Sequence, residues 1–407
     1  MSISDTDDNV FDAVDTDEVP TDLPSAEETL RYFGADFDID GIVRRLASGN
    51  LIVPSFNPPP SNDADYAGFQ RGFVWTKSQK DRFIESLLLG YPVPGIFLVE
   101  RPRREYLILD GQQRIRTLHD FVTGVDSATE RTFRLRYVSL NAPYHGKTFD
   151  ELSEADQNLL NNTFIQATVV IPRDRSKLQG VYQLFERINS GGTNLQPQEI
   201  RVALYAGSRV DTLREMNDDQ HWRELFGKPH ARLKDTELIL RYLALRRVAL
   251  ETAKFGWDRD KVKSAVESND ATTALDRQAI YKAPLNQFLN SYLEAVGEES
   301  GREQGAVDAF YRAVSLLAPI GRMALKMDDS PQINAAHADA ILVGLSLAPN
   351  LSTLGPSPSV TAQIRGVLDK LRLNEEYSLA VRESTSHSSS IYKRLQIATD
   401  AFSAINA

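Results

Sequence analysis

The chain contains no cysteine among its 407 residues. This absence excludes disulfide bonds, thiolate zinc sites and cysteine nucleophiles, and it is compatible with a reducing compartment. No apolar run is long enough to cross a membrane, and the N-terminus lacks the basic and apolar regions of a signal peptide. We therefore expect a soluble, cytoplasmic protein without a membrane partner.

Histidine is scarce, and no two of the six histidines are spaced as metal ligands. The C-terminal half also lacks an Asp…Glu-x-Lys nuclease pattern. We therefore expect no metal site built by this chain. The histidines are His119, His145, His221, His230, His337 and His387.

Positive charge is lacking at the N-terminus. The formal net charge is −10, but residues 1–40 hold thirteen acidic residues against one basic residue, Arg31. The remaining residues carry 45 basic and 43 acidic side chains, so local basic patches can still bind DNA. We predict that residues 1–26 are a disordered acidic tail. The tail either solubilises the protein, which we favour, or mimics DNA and covers a basic groove.

The segment 105–118 reads Glu-Tyr-Leu-Ile-Leu-Asp-Gly-Gln-Gln-Arg-Ile-Arg-Thr-Leu. Tyr106 to Leu109 is a short β-prone run, Gly111 interrupts it, and apolar residues then recur at helical spacing from Ile115 onward. The pattern predicts a strand, a tight turn and a helix. The rest of the first domain is arranged around this unit.

The predicted turn places four polar side chains at a helix N-terminus, where unpaired backbone N–H groups favour an anion. They are Asp110, Gln112, Gln113 and Arg114. Arg114 adds a forked donor for phosphate or carboxylate. The Asp110 carboxylate does not suit an anion site, which indicates a chemical role. The alternative, that Asp110 only caps the helix, is equally consistent with the local sequence.

The fold class predicted is α+β. Residues 27–207 mix strands and helices and form the first domain, with a helix beginning at Thr29–Phe33 and a strand at Phe133–Val138 among the predicted elements. Residues 208–407 carry helix-period apolar residues almost throughout, which predicts an all-helical second domain.

Three blocks of residues stand out between about 70 and 207. They are Gln70-Arg71…Trp75…Gln79…Ser86-Leu87…Pro92-Val-Pro94, then Leu109-Asp-Gly-Gln-Gln-Arg114…Thr117-Leu118, then Phe185-Glu-Arg-Ile-Asn189…Gly192-Thr-Asn-Leu195…Glu199-Ile200. In order and spacing they resemble the N-terminal domain of GmrSD-type restriction endonucleases, which is related in fold to the ParB/sulfiredoxin group. A lone Asp-Gly-Gln-Gln-Arg is a weaker signal.

The resemblance implies bacterial defence against phage whose cytosines are hydroxymethylated or glucosylated. It also implies a link between the Asp-Gly-Gln-Gln-Arg motif and nucleotide hydrolysis that licenses a nuclease. Asp110, Gln112, Gln113 and Arg114 correspond to the central site. The lining residues implied are Arg71, Arg187 and Asn189.

The complete family architecture carries a histidine-and-asparagine metal nuclease at its C-terminus, and this sequence shows no such pattern. We therefore expect the nuclease on a separate polypeptide, or no role for a nuclease in the chemistry.

The first functional hypothesis is a DNA glycosylase that hydrolyses the N-glycosidic bond of a modified base. Such a reaction needs one placed carboxylate and a base flipped into a pocket, with no metal or other cofactor. Asp110 would be the carboxylate and Glu199 a second one, while Gln112 and Gln113 bond the sugar or base edge. The phosphate-binding and stacking residues would be Arg71, Arg114, Arg187, Phe69, Phe73 and Trp75. For the three aromatic residues a core role is favoured over a stacking role, because large aromatics dominate protein cores.

The second hypothesis is a nucleotide-dependent sensor that binds NTP and Mg²⁺ at the Asp110 turn and activates a partner nuclease. A third is a non-enzymatic DNA-binding module in the ParB manner. Base removal and the nucleotide sensor have equal weight, and the third has less.

Basic residues in the helical half offer weaker phosphate-binding candidates. They are Arg241, Arg246 and Arg247 on one predicted helix, and Lys393 and Arg394 after a serine-rich loop. A solvated helix face and an ordinary serine-capped loop are the favoured interpretations.

Overall fold

The structure is a computed structural model that describes residues 25–53, 75–174, 177–188, 196–205, 208–230, 232–268, 273–298 and 303–406. The folded chain separates into two units, one comprising Pro24–Leu195 and the other built on Gln196–Ala407. The sequence places the domain boundary near residue 207. The predicted acidic tail lies outside the described residues, apart from Ser25 and Ala26.

The first unit mixes strands and helices, as the α+β prediction requires. Its strands are β1 (Leu30–Asp38), β2 (Leu51–Ile52), β3 (Ile96–Glu100), β4 (Tyr106–Asp110), β5 (Val125–Asp126), β6 (Arg131–Thr132) and β7 (Phe164–Pro172). Its helices are α1 (Ala26–Thr29), α2 (Ile39–Ala47), α3 (Lys77–Leu88), α4 (Gln112–Thr123), α5 (Glu154–Asn161) and α6 (Gln179–Ile188), with a short 3₁₀ turn at Pro102–Arg104.

Five strands form a mixed sheet in the order β1-β7-β3-β4-β2. The β1/β7 and β3/β4 pairs are antiparallel, whereas β7/β3 and β4/β2 are parallel. Strands β5 and β6 form a separate antiparallel pair. Among the described strands, β2 lies at one edge of the sheet and pairs with β4.

The core of this unit is one apolar cluster shared by helices α2 to α5 and the sheet. Helix α4 contributes Ile115, Leu118 and Phe121, each fully buried. Their spacing of three residues places them on one face of the helix, as the sequence predicts. Burial of this face fixes α4 against the sheet and thereby fixes the turn that precedes it.

The predicted helix beginning at Thr29–Phe33 is wrong. A capping box between Ser25 and Glu28 supports only the single turn of α1, and Leu30–Asp38 is a strand. All nine residues of β1 pair with β7 from Leu30↔Pro172 to Asp38↔Phe164. Pairing to a strand over 120 residues away outweighs the local helix signal.

The predicted strand at Phe133–Val138 is also wrong, although its alternating burial is real. Phe133 and Leu135 are fully buried, but the segment is irregular. The buried Asp81 carboxylate accepts the backbone N–H groups of Arg136 and Tyr137, each at 2.9 Å. A side chain takes the donors that a neighbouring strand would have paired.

The second unit is helical, and no strand occurs among its described residues, as predicted. Its helices are α7 (Pro197–Leu204), α8 (Ser208–Asn217), α9 (Gln220–Phe226), α10 (Lys234–Lys254), α11 (Arg259–Glu267), α12 (Ala274–Arg277), α13 (Leu285–Glu298), α14 (Gln304–Leu317), α15 (Ala335–Ser346), α16 (Pro358–Leu373), α17 (Glu375–Arg382) and α18 (Ser388–Phe402), with a 3₁₀ segment at Ala318–Leu325.

Helix α15 is the centre of the helical unit, because all its residues are buried. Helices α10, α14 and α18 pack around it. Within the described ranges, none of the helices has both the length and the apolar character that a bilayer span requires.

Candidate active site at the Asp110 turn

The strand, turn and helix predicted around Asp110 are present. Strand β4 ends at Asp110, Gly111 adopts a left-handed conformation (φ 94°, ψ 9°), and α4 begins at Gln112. The β3/β4 register changes between Phe97, opposite Asp110, and Leu98, opposite Ile108. Strand β4 therefore carries one extra residue next to Asp110, a bulge of the kind that redirects a side chain at the end of a strand.

The Asp110 side chain is 45% exposed and does not cap the helix. The residue at the N-cap is Gly111, and it provides no side-chain cap. The Asp110 carboxylate instead pairs with Arg114, whose Nη2 donates to Oδ2 at 2.7 Å. Of the two interpretations left open by the sequence, the capping role is excluded.

The beginning of α4 has free backbone donors. The first helical hydrogen bond runs from the N–H of Ile115 to the carbonyl oxygen of Gly111 at 3.0 Å. Within the described part of the chain, the N–H groups of Gln112, Gln113 and Arg114 have no acceptor. These three donors and the positive end of the helix dipole favour an anion beside Asp110.

The two glutamines of the motif differ in their contacts. Gln113 Oε1 accepts the backbone N–H of Trp75 at 3.4 Å, which joins the start of α3 to the start of α4. The Gln112 side chain is partly exposed and has no hydrogen bond to any described residue. Gln112 is therefore available to a ligand, whereas the oxygen of Gln113 is engaged.

Trp75 is a partly buried component of the core. Its ring packs edge-on against Phe83, with ring centroids 5.4 Å apart. The sequence allowed Trp75 either a packing role in the core or a stacking role against a base. This contact shows that Trp75 packs in the core. Phe69 and Phe73, the other two candidate stacking residues, lie outside the described residues.

The remaining candidate residues are not all in the described part of this unit. Arg187 is exposed on α6, a helix that contacts both β4 and β7. Arg71 and Asn189 lie outside the described residues. The structure therefore brings together Asp110, Gln112, Gln113 and Trp75 with Arg114.

Glu199 belongs to the helical unit and is fully buried. Its Oε2 accepts the N–H of Gln196 at 2.6 Å and Nε of Arg232 at 3.2 Å. Both contacts stabilise the start of α7, and a fully buried carboxylate has no access to a substrate. Glu199 therefore does not serve as a second exposed carboxylate.

The candidate basic residues of the helical half contact other residues of the same unit. Arg241 and Arg394 are buried and both bond Asp339, with Nη2 to Oδ2 distances of 2.6 and 3.0 Å. Arg247 pairs with Asp276 at 2.7 Å, and Lys393 pairs with Glu376 at 3.0 Å. The sequence favoured a solvated helix face for Arg241, and this prediction is wrong because Arg241 is buried. The sequence also offered Arg241 and Arg394 as weaker candidates for binding a DNA phosphate. Their burial against Asp339 excludes that role.

The contact that sequence reasoning missed runs from Arg114 to the loop before β3. Nη1 donates to the carbonyl oxygen of Pro94 and, at 2.8 Å, to that of Gly95. Pro94 belongs to the first of the three sequence blocks, but nothing in a sequence marks a backbone carbonyl as an arginine acceptor.

Among the described residues, no cluster of three His, Asp or Glu side chains is placed to hold a metal ion. A groove of about 560 Å³ beside α2 contains none of the candidate site residues. It is lined by Asp36, Phe37, Asp38, Gly41, Arg44, Arg45, Ser48, Asn50 and Phe164.

Comparison with known proteins gives a family match. Residues 61–206 match the family described as GmrSD restriction endonuclease, N-terminal domain. No curated protein and no solved structure matches the chain. The relation of the fold to the ParB/sulfiredoxin group therefore stays a prediction.

Proposed function

Because residues 61–206 match the GmrSD restriction endonuclease N-terminal domain family, we propose that this protein acts in a restriction system that defends a bacterium against phage DNA. The DNA carries hydroxymethylated or glucosylated cytosine. The Asp110 turn is the reactive site. We further propose that the turn binds the phosphate groups of a nucleoside triphosphate and promotes hydrolysis of the triphosphate. This hydrolysis activates a nuclease on a separate polypeptide.

One observation carries this proposal: three N–H donors at the start of α4, with no acceptor among the described residues, lie next to a half-exposed carboxylate. Phosphate oxygens bind such donors, as at other helix N-termini. The N–H groups of Gln112 and Gln113 hold the phosphate, and the Gln112 amide is free to bond a further oxygen. The Asp110 carboxylate then faces the phosphate and orients the attacking water.

The same residues fit a nucleotide-bound Mg²⁺. This ion is commonly held by one or two carboxylates together with substrate phosphates and several waters, and Asp110 supplies one exposed carboxylate. When bound, Mg²⁺ neutralises negative charge on the phosphate oxygens. The contribution of the chain is to place a carboxylate and an anion-binding helix end side by side.

Removal of a modified base is the second candidate. It is favoured by a water-accessible carboxylate near the Gln112 amide, which has no hydrogen bond to a described residue and could bond a sugar or base edge. This activity would need neither nucleotide nor metal. It ranks second because Glu199, its proposed second carboxylate, is buried against Arg232.

The test incubates purified protein with plain, hydroxymethylated and glucosylated DNA, with and without ATP or GTP and Mg²⁺. Phosphate release is measured first, and the DNA is then treated with alkali. Phosphate release that leaves the DNA intact supports the nucleotide proposal. Alkali-labile sites formed without nucleotide support base removal. DNA binding without either reaction leaves only the non-enzymatic module.

Variants connect the reaction to the site. Asp110→Asn keeps the shape of the side chain and removes its charge, and we expect a rate loss of at least about 100-fold. Asp40→Asn is the matched control, because Asp40 pairs with Arg44 at 3.0 Å with the same four-residue spacing on α2. Full activity in Asp110→Asn would remove this carboxylate from the mechanism.

A further inference from the structure

We propose that Arg114 is a positioning residue for Asp110, and that it does not bind the substrate phosphate. The inference rests on the proposed function of the Asp110 turn and names the internal contact that makes this site work. It also assigns the reactive atom: Asp110 acts through Oδ1, because Oδ2 is held by Arg114.

The guanidinium group of Arg114 is directed into the protein. Its side chain is 13% exposed. Nη1 has two N–H groups, and these face the carbonyl oxygens of Pro94 and Gly95. Nη2 donates to Oδ2 of Asp110 at 2.7 Å. These bonds use three of the five N–H groups of the guanidinium, so most of its donors are engaged inside the protein.

One of the carbonyl groups that hold Arg114, that of Gly95, belongs to a closely packed residue. A Cβ atom on Gly95 would lie 2.9 Å from the carbonyl oxygen of Gln166 in β7. A Cβ atom on Gly111 would lie 2.5 Å from Cγ2 of Ile96. Gly95 is therefore packed closely against β7, and the first residue of β3 is packed closely against the Asp110 turn.

The consequence for Asp110 is a fixed orientation. Oδ2 is occupied, whereas Oδ1 has no hydrogen-bond partner among the residues that the structure describes. The half-exposed carboxylate thus presents one oxygen outward, beside the free N–H groups of α4. A lysine at position 114 would keep the charge but lacks the planar fork that bonds two carbonyl groups and a carboxylate together.

The test is a double-mutant cycle of Arg114→Gln and Asp110→Asn, with Arg114→Lys beside it. The cycle is measured on the reaction that the wild type performs and on the urea midpoint of unfolding. For a positioning role we expect Arg114→Gln to lower kcat by about 100-fold with KM unchanged. Arg114→Lys should lose a similar factor. In the Asp110→Asn background, Arg114→Gln should cause no further loss.

A phosphate-binding role gives another pattern. KM then rises, Arg114→Lys retains part of the binding, and the loss persists in the Asp110→Asn background. Any of these results overturns the proposal. Arg44→Gln is the control, because Arg44 makes the same type of pair but is 71% exposed; its kinetics should equal the wild type.

Failure of the proposed function can be told apart from failure of this inference. If the wild type performs neither reaction, the proposed function fails, but the urea midpoints still report on the contact. Arg114→Gln should lower the midpoint more in the wild-type background than in Asp110→Asn. Equal decreases in the two backgrounds would show that the two side chains are not coupled.

Discussion

Gly111 and Ile96 approach so closely that no side chain fits between them. A Cβ atom added to Gly111 would lie 2.5 Å from Cγ2 of Ile96, and the φ angle of Gly111 is +94°. Steric space and backbone conformation therefore both require glycine at the turn that carries the candidate active site.

Gly111→Ala should destabilise the first unit for two reasons. The left-handed conformation costs about 1–2 kcal/mol for a residue with a Cβ atom, and overpacking against Ile96 adds about 1–3 kcal/mol. Urea denaturation measures the sum. Gly124→Ala is the control, because Gly124 also has a positive φ (+79°) but nothing lies within 4 Å of its added Cβ. Equal losses in both variants would contradict the close contact with Ile96.

Glu199→Ala should lower stability without removing catalysis. The variant loses the bond to the backbone of Gln196 and the ion pair with Arg232. Loss of a helix-terminal bond of this kind costs about 1 kcal/mol, and loss of the ion pair adds to it. The measurements are the urea midpoint and the activity per folded molecule. A folded Glu199→Ala protein with no activity would restore Glu199 to the catalytic site.

Stability of the helical unit should fall in acid because of His337. Burial, with a smaller effect of Arg372, lowers the pKa of His337 from 6.5 to about 3. Between pH 6.5 and pH 3, His337 therefore binds a proton in the unfolded chain but stays neutral in the folded chain. The contribution of the neutral, buried His337 to the unfolding free energy is complete above pH 6.5 and is lost progressively as the pH falls towards 3.

The His337→Gln variant isolates this effect. His337 Nδ1 lies 2.8 Å from the hydroxyl group of Tyr377, a contact that an amide can keep. Relative to this variant, the wild type should lose about 2 kcal/mol of unfolding free energy between pH 6.5 and pH 5. Replacement of the partly exposed His221 serves as the control. Parallel pH profiles for wild type and His337→Gln would contradict the buried neutral state.

Asp339→Asn should strongly destabilise the helical unit. The variant removes the carboxylate that contacts two buried guanidinium groups, those of Arg241 and Arg394. Removal of one partner from a buried ion pair costs about 3–5 kcal/mol. Thermal and urea denaturation measure the change.

The control for this variant is Asp369→Asn. Asp369 pairs with Arg372 at 3.1 Å, but its side chain is 70% exposed. The expected change is below about 0.5 kcal/mol. A similar small effect in Asp339→Asn would mean that the buried arginines do not depend on this carboxylate.

Local sequence was sufficient for the elements that depend on neighbouring residues. The run Tyr106–Leu109, the break at Gly111 and the helical spacing from Ile115 predict the strand, turn and helix that carry Asp110. Each signal arises within a few residues of the position that it determines, because strand propensity, positive φ and helical periodicity are local properties. The all-helical second unit was predicted for the same reason.

The sequence by itself thus determined the strand-turn-helix unit, the position of Asp110 and the helical character of the second half. Only the tertiary structure decided which charged groups are accessible. Arg114 is turned towards the carbonyl groups of Pro94 and Gly95, Glu199 is buried with Arg232, and Arg241 is joined to Asp339 across 98 residues of sequence. The role of a charge depends on its partner and its burial, and folding sets both by bringing distant segments together.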